Sequence, residues 1–316
     1  MSVKSLAEAM LSRLAPLALK GRGQRRPLTI IAYHRILEAD DNFRYDDGVI
    51  SCSPAAFEKQ IRFFKDHFSI ISFRQLKESL DNRSPLPSNS LIITFDDGYK
   101  DNFTHAFPIL RKYNTSATIF LSVRHIDTGE NYWWDEAAFY LKHAHKSSRD
   151  IAQFLYELKH VPNLERVRRI KELARTIENK TVRLERQSLS WDDIRAMSKA
   201  GIEFGSHTMT HPVLSHVEQE SELEYEIGES KKAIEAKIQS DVIVFSYPVG
   251  RKTAFNDRVK EKVRKAGYRF AVSYMHGTND LTNSLIDLFE LRRMDVDKLT
   301  LNRVKAKLAF PGLFKK

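Results

Sequence analysis

Two groups of residues in this chain have the types and spacing of a hydrolytic metal centre. Thr94-Phe95-Asp96-Asp97-Gly98 follows the apolar run Leu91-Ile92-Ile93, and His207-Thr208-Met209-Thr210-His211 follows Ile202 to Gly205. Adjacent carboxylates at the end of a buried strand repel, and a cation removes that cost. One aspartate can then ligate the cation while the other acts as base. Two imidazoles and a carboxylate make a catalytic Zn2+ set with positions left for water and substrate, and Co2+, Ni2+ or Fe2+ suit the same donors. Taken singly, the groups read as an Asp-Gly turn and a pair of surface histidines. Their placement favours chemistry: each follows a candidate strand at its carboxyl end, where parallel barrels present catalytic side chains. A third strand-end group, Phe245-Ser246-Tyr247-Pro248-Val249-Gly250, forms a tight turn that can offer a backbone N–H.

The elements that must position these groups are legible as short apolar runs. Leu28 to Tyr33, Ser69 to Ser72, Leu91 to Phe95, Ala117 to Ser122, Ile202 to Gly205, Val242 to Tyr247 and Phe270 to Ser273 lack clean alternation, as strands covered on both faces do. Helical patterns separate them, at 54–68, 74–81, 102–113, 191–200, 221–239 and 254–266. Ser53-Pro54 reads as a helix start, and Gly201 and Gly267 as helix stops. This alternation predicts a parallel α/β sheet or barrel. Residues 133–190 interrupt the rhythm with charged helical sequence and read as an insertion in the barrel, not a separate domain.

The 316 residues suffice for one large α/β barrel, and 42% hydrophobic with 29% charged residues excludes disorder by composition. Lys+Arg exceed Asp+Glu by 51 to 41, which suits polyanionic surroundings, yet no nucleic-acid module is visible and no nucleic-acid partner is expected. Cys52 is the lone cysteine, so no intramolecular disulfide can form. No signal-peptide pattern and no membrane-span run is read, and the expected location is the cytoplasm. Leu6, Met10, Leu14 and Leu17 recur at helical spacing among Lys4, Arg13, Lys20, Arg22, Arg25 and Arg26, interrupted by Pro16. Such a helix either packs on the protein's own body or lies on an anionic leaflet at the inner membrane face. The tail Leu308 to Phe314, ending in Lys315 and Lys316, poses the same choice.

Thr94 to Gly98, His207 to His211 and Tyr247 to Gly250 resemble, in order, three motifs of the polysaccharide deacetylase family, also called the NodB homology or carbohydrate esterase 4 family. The similarity runs from about residue 28 to 297. It implies a distorted (β/α) barrel, usually of seven strands, over about 28–300, flanked by the N-terminal segment 1–27 and the tail 301–316. It also implies a metal-dependent hydrolase removing N-acetyl or other acyl groups from amino sugars. By resemblance, Asp96 is the general base and Asp97, His207 and His211 are the metal ligands. Val249 stands where the family offers a backbone N–H to the oxyanion, with Tyr247 beside it.

The family's usual acid histidine near the C-terminus has no match, since His276 precedes loop-like Gly277-Thr278-Asn279-Asp280. His34, ending Ile30-Ile31-Ala32-Tyr33, resembles a rearranged branch in which that strand and histidine come first. The family's base-supporting arginine is replaced by Ser246, leaving Arg293 or Arg251 as candidates. Trp133, Trp134 and Trp191 are either core or sugar-site residues. The expected substrate is an amino-sugar glycan of a bacterial surface or a lipid-linked precursor, with acetyl or formyl as the acyl group. The other readings are a glycan-binding pseudoenzyme and a glycoside hydrolase, the latter leaving both histidines unexplained.

Overall fold

The computed structural model describes residues 3–21, 27–40, 42–161, 163–176 and 183–314. Its strands are β1 (Thr29–Tyr33), β2 (Arg35–Ile36), β3 (Ile50–Cys52), β4 (Ser69–Ile70), β5 (Ser90–Phe95), β6 (Thr118–Leu121), β7 (Glu203–Ser206), β8 (Val244–Ser246), β9 (Phe270–His276) and β10 (Leu291–Asp295). Seven parallel strands close a barrel in the ring order β1-β10-β9-β8-β7-β6-β5, and β5 returns to β1 through register pairs from Thr29↔Leu91 to Tyr33↔Phe95. β4 pairs with the start of β5, outside the ring.

β1 and β5 are buried at every position, which is why their sequences show apolar runs without alternation. Inside the barrel, Ile30, Ile92, Phe120, Val244, Phe270, Val272 and Leu291 form one cluster. The larger cluster lies between the strands and the outer helices. Gly205 on β7 faces this crowding. A Cβ there would stand 2.4 Å from the Phe120 ring and 2.9 Å from the Val244 carbonyl oxygen.

Ser53 caps the helix Pro54–His67 by accepting the Ala56 N–H, with Pro54 at its first turn. Gly201 and Gly267 stop their helices at positive φ. The sequence reading did not include β10, or the short pair β2 and β3. Two expected helices are also interrupted by π turns, at Asn102–Ala106 and Tyr225–Glu229. Between β6 and β7, the helices Trp133–His143, Ser148–Leu158 and Asn163–Arg175 pack around Tyr99, Tyr132, Trp134, Leu141, Ile151 and Leu155. The chain then returns beside the aspartate loop, where Leu189 N–H donates to the Gly98 carbonyl and Lys100 N–H to that of Gln187.

The helix Val3–Gly21 accommodates Pro16 and packs on the helix Leu301–Ala309 through buried Ser12, Ala15 and Leu19. Ser12 donates to Asn302, and Arg303 pairs with Glu8. Met10, Leu14 and Leu17 point outward, so this apolar stripe does not pack on the body. Arg22, Arg25, Arg26, Lys315 and Lys316 lie outside the described residues. Among the described residues, no helix is long and apolar enough to cross a membrane.

Gly205→Ala should lower unfolding free energy by about 1–3 kcal/mol, the cost of overpacking a filled interior. Urea unfolding at an unchanged m value is the measurement, and an unchanged midpoint would show that β7 has slack the geometry does not suggest.

Candidate active site

β5 ends at Phe95, and the chain then turns so that Asp96 and Asp97 enter the barrel mouth, both 2% exposed. Asp97 stands at φ 72°. At the end of β7, the loop carrying His207 and His211 has Thr208 at φ 71° and His211 at φ 61°, and at the end of β8 Val249 has φ 63°. Left-handed backbone costs a non-glycine residue about 1–3 kcal/mol, and such strain clusters where geometry is fixed for function. Four such residues stand at the ends of β5, β7 and β8.

Asp97 Oδ1 lies 3.6 Å from His207 Nε2 and 3.4 Å from His211 Nε2. The three ligand atoms lie within 4.8 Å of one another. Asp97 Oδ1 is buried without a hydrogen-bond partner. His207 Nδ1 is 2.7 Å from the Ser246 carbonyl, which fixes the tautomer with its proton on Nδ1 and its lone pair on Nε2. Burial pushes His207 down to about 4 against the pull of Asp96, and burial with neighbouring His207 pushes His211 down as well. Both imidazoles are therefore neutral donors at neutral pH. Burial also pushes the Asp97 carboxyl up to about 7, opposed by His34. An orphaned carboxylate oxygen facing two neutral imidazoles is the donor set a divalent cation requires.

The loop is held from behind by Glu226, which sits in the π turn. Its carboxylate accepts the N–H groups of Met209 and Thr210, each at 2.9 Å, and the Thr210 hydroxyl at 2.6 Å. Thr208 Oγ1 accepts the His211 N–H at 2.9 Å. Tyr132 donates its hydroxyl to the Asp97 carbonyl at 2.7 Å, and Trp134 meets the His211 ring edge-on at 5.0 Å.

Asp96 has a different environment. Arg293 on β10 grips it with both terminal nitrogens, Nη1 to Oδ1 and Nη2 to Oδ2, each at 2.8 Å. Arg293 is 1% exposed and also donates to the Ser273 carbonyl, Thr94 Oγ1 and Ser246 Oγ. Burial opposes the charge on Asp96, but Arg293 together with His207 and His34 outweighs it and holds the carboxyl well below the usual range. Ser246 leaves room for this arginine to arrive from another strand, whereas Arg251 is exposed on the surface.

His34 leaves β1 with Nε2 4.0 Å from Asp96 Oδ2 and Nδ1 3.9 Å from Asp297 Oδ2. Asp297 accepts hydroxyls from Ser51 at 2.5 Å and Tyr274 at 2.6 Å. Ser51 also accepts the His34 N–H. Asp297 and Glu226 were missed in the sequence, because no motif marks them and only folding brings them here.

Tyr247 lies in the core. Its N–H bonds the Val272 carbonyl, its hydroxyl donates to the Phe289 carbonyl, and its ring stacks on Phe255. Both of its donors are thus engaged within the protein. Val249 is half-exposed in a turn pinned by Gly250, whose carbonyl accepts the Tyr274 N–H. His276 faces Asp295. Of the tryptophans, Trp133 lies under Arg166, Trp134 abuts His211, and Trp191 donates to Asp127.

A parallel barrel carrying a buried acid–arginine pair and an Asp/His/His cluster at its carboxyl rim has the layout of a hydrolase. The family model for polysaccharide deacetylase matches residues 83–271, and the chain belongs to that family. It is 21% identical over 266 residues to YxkH of Bacillus subtilis, a protein named for polysaccharide deacetylation, covering 84% of this chain and 71% of that one. A 104-residue stretch, 30% of this chain, is 35% identical to poly-beta-1,6-N-acetyl-D-glucosamine N-deacetylase of Staphylococcus aureus, and spans 35% of that enzyme. The fold is shared with the Streptococcus pyogenes deacetylase PplD at TM-score 0.63 and 19% identity, over 89% of this chain and 98% of that one. It is also shared with IcaB from Ammonifex degensii at TM-score 0.61 and 16% identity, over 90% and 98%.

Glu226→Ala should weaken Zn2+ affinity about 10- to 100-fold by freeing the histidine loop. Competition against a chromophoric chelator measures this, with far-UV circular dichroism confirming the fold. Unchanged affinity would reduce Glu226 to a packing residue.

Proposed function

We propose that the protein is a metal-dependent deacylase that removes N-acetyl groups from amino sugars of a bacterial surface polysaccharide or its lipid-linked precursor. The observation that carries this is the division of labour between adjacent aspartates: Asp97 faces two neutral imidazoles, and Asp96 faces Arg293 and His34. Family membership and the relative named for poly-beta-1,6-N-acetyl-D-glucosamine support the substrate class.

Asp97, His207 and His211 would hold a divalent cation, with Zn2+ the best match to the donors. Bound there, such a cation would lower the pKa of water from 15.7 to about 7 and would polarise an acyl oxygen. Asp96, kept ionised by Arg293, takes the proton as water attacks. The Val249 N–H stands ready for the oxygen that gains charge. His34, backed by Asp297, delivers a proton to the leaving amine, which cannot depart as an anion. The pairing of Arg293 with Asp96 supports an active enzyme over a catalytically impaired binder.

The location we propose is the cytoplasmic face of the membrane. On the helix Val3–Gly21, Met10, Leu14 and Leu17 are 68%, 43% and 69% exposed along one stripe, beside exposed Arg13. An apolar stripe with basic neighbours suits an anionic leaflet.

Asp97→Ala and His211→Ala should each abolish acetate release and metal retention together. His34→Ala should slow turnover about 10²- to 10⁴-fold with metal retained. Acetate assays on N-acetylglucosamine polymers, paired with metal analysis, decide this, and full activity in either ligand variant would sink the assignment. The protein should also co-sediment with phosphatidylglycerol vesicles but not with pure phosphatidylcholine, and Leu14→Glu with Leu17→Glu should release it. Equal sedimentation of the variant would remove this helix from the membrane.

A further inference from the structure

The His34 imidazole is loosely held by its neighbours. Nδ1 is buried without a hydrogen-bond partner, 3.9 Å from Asp297 Oδ2, and Nε2 lies 4.0 Å from Asp96 Oδ2. Both separations exceed hydrogen-bond length. Arg293 fixes the Asp96 carboxylate and the Ser246 carbonyl fixes the His207 ring, whereas the place of the His34 ring is set through its backbone.

That backbone is held on both sides. The His34 N–H donates to Ser51 Oγ at 2.8 Å, and the His34 carbonyl accepts from Asn102 Nδ2 at 2.8 Å. Asn102 belongs to the stretch that follows the two aspartates. Beside it, Asp101 accepts the Ile36 N–H at 2.7 Å and Arg35 Nε at 2.8 Å, and His105 Nδ1 lies 2.9 Å from the Ile36 carbonyl. Three consecutive residues leaving β1 are thus gripped by one stretch leaving β5, its partner in the barrel.

Two features of Asn102 are not explained by packing. It is fully buried, yet its Oδ1 has no hydrogen-bond partner. A buried acceptor without a donor is costly, and a leucine of similar size would avoid that cost. What the amide contributes here is the Nδ2 donor aimed at His34. Asn102 also opens the π turn, where its carbonyl accepts the Phe107 N–H. The extra residue of a π turn rotates what precedes it by roughly 100° against the helix that follows. Asn102 reaches the His34 carbonyl from that rotated position.

We propose that Asn102 is a positioning residue for the acid: its amide holds the His34 carbonyl, and through it the imidazole, beside Asp96. This rests on the deacylase reading above.

The metal-loaded protein and its Asn102→Leu, His34→Ala and double variants should be assayed on two probes. N-acetylglucosamine oligomers release an amine, which needs a proton, while para-nitrophenyl acetate releases a phenolate, which does not. Asn102→Leu should slow amide turnover about 10- to 100-fold, as a small misplacement of a reacting group does, and leave the ester rate unchanged. The double variant should be no slower than His34→Ala, because both changes disable one group. The imidazole NMR signal of His34, assigned by its loss in His34→Ala, should shift or broaden in Asn102→Leu. Where far-UV circular dichroism shows that the leucine variant does not fold, Asn102→Ala carries the same comparison. Equal slowing on both probes, slowing that adds to that of His34→Ala, or an unmoved His34 signal overturns the inference. A wild type that releases no acetate from either probe, with the His34 signal displaced in the variant, would sink the deacylase reading and keep Asn102 as the support of His34.

Discussion

The site depends on one buried ion pair, Asp96 with Arg293. Both groups are almost wholly removed from water, and either one alone would be an uncompensated charge, a loss of about 3–5 kcal/mol. The ring order explains why the pair also organises its surroundings. β1 lies between β10, which brings Arg293, and β5, which brings Asp96. His34, at the end of β1, is thereby delivered between them. Ser246 on β8 and Ser273 on β9 complete the arginine's hydrogen bonds from the far side. The pair fixes which oxygen atoms face the mouth and keeps the carboxylate charged there.

The metal-ligand side works by the opposite arrangement. On Asp97, burial outweighs the pull of His34 and Arg293 and favours the neutral form. The same burial keeps both histidines neutral. Adjacent carboxylates thus have opposed electrostatic fates because one faces a guanidinium and the other faces imidazoles. The backbone that achieves this is strained at Asp97, Thr208, His211 and Val249. Compensation comes from groups behind the rim: Glu226 on the histidine loop, Tyr132 on the aspartate loop and Tyr274 on the Gly250 turn.

The helices between β6 and β7 are more than an ornament on the barrel. Trp134 reaches His211, Asp135 reaches Arg35, and the returning segment bonds the aspartate loop. Their packing therefore shapes the surroundings of Asp97 and His211. The barrel carries the Asp96–Arg293 pair and the Asp97, His207 and His211 cluster, and this helical layer packs against both.

How much of this was legible in the sequence follows from which interactions are local. Buried strands announce themselves as apolar runs, and Asp96-Asp97, His207 with His211, and the Tyr247–Gly250 turn are short motifs whose spacing carries their chemistry. The parallel α/β class and the family resemblance were readable from these, and the resemblance implied the seven-strand barrel, although β10 itself was not read. Side-chain direction was not. Tyr247 sits inside a motif, yet its ring fell to the core because the Phe289 carbonyl and the Phe255 face lay there. The choice between Arg293 and Arg251 had no local signal either, since it depends on a pairing across 197 positions of sequence. Asp297 and Glu226 carry no motif and gain their places only when β10 and the π turn dock. The sequence by itself determined which groups could do the chemistry, because residue type and strand-end position are local properties. Only the tertiary structure decided which of them face one another, because barrel closure sets which distant side chains share one water-poor space.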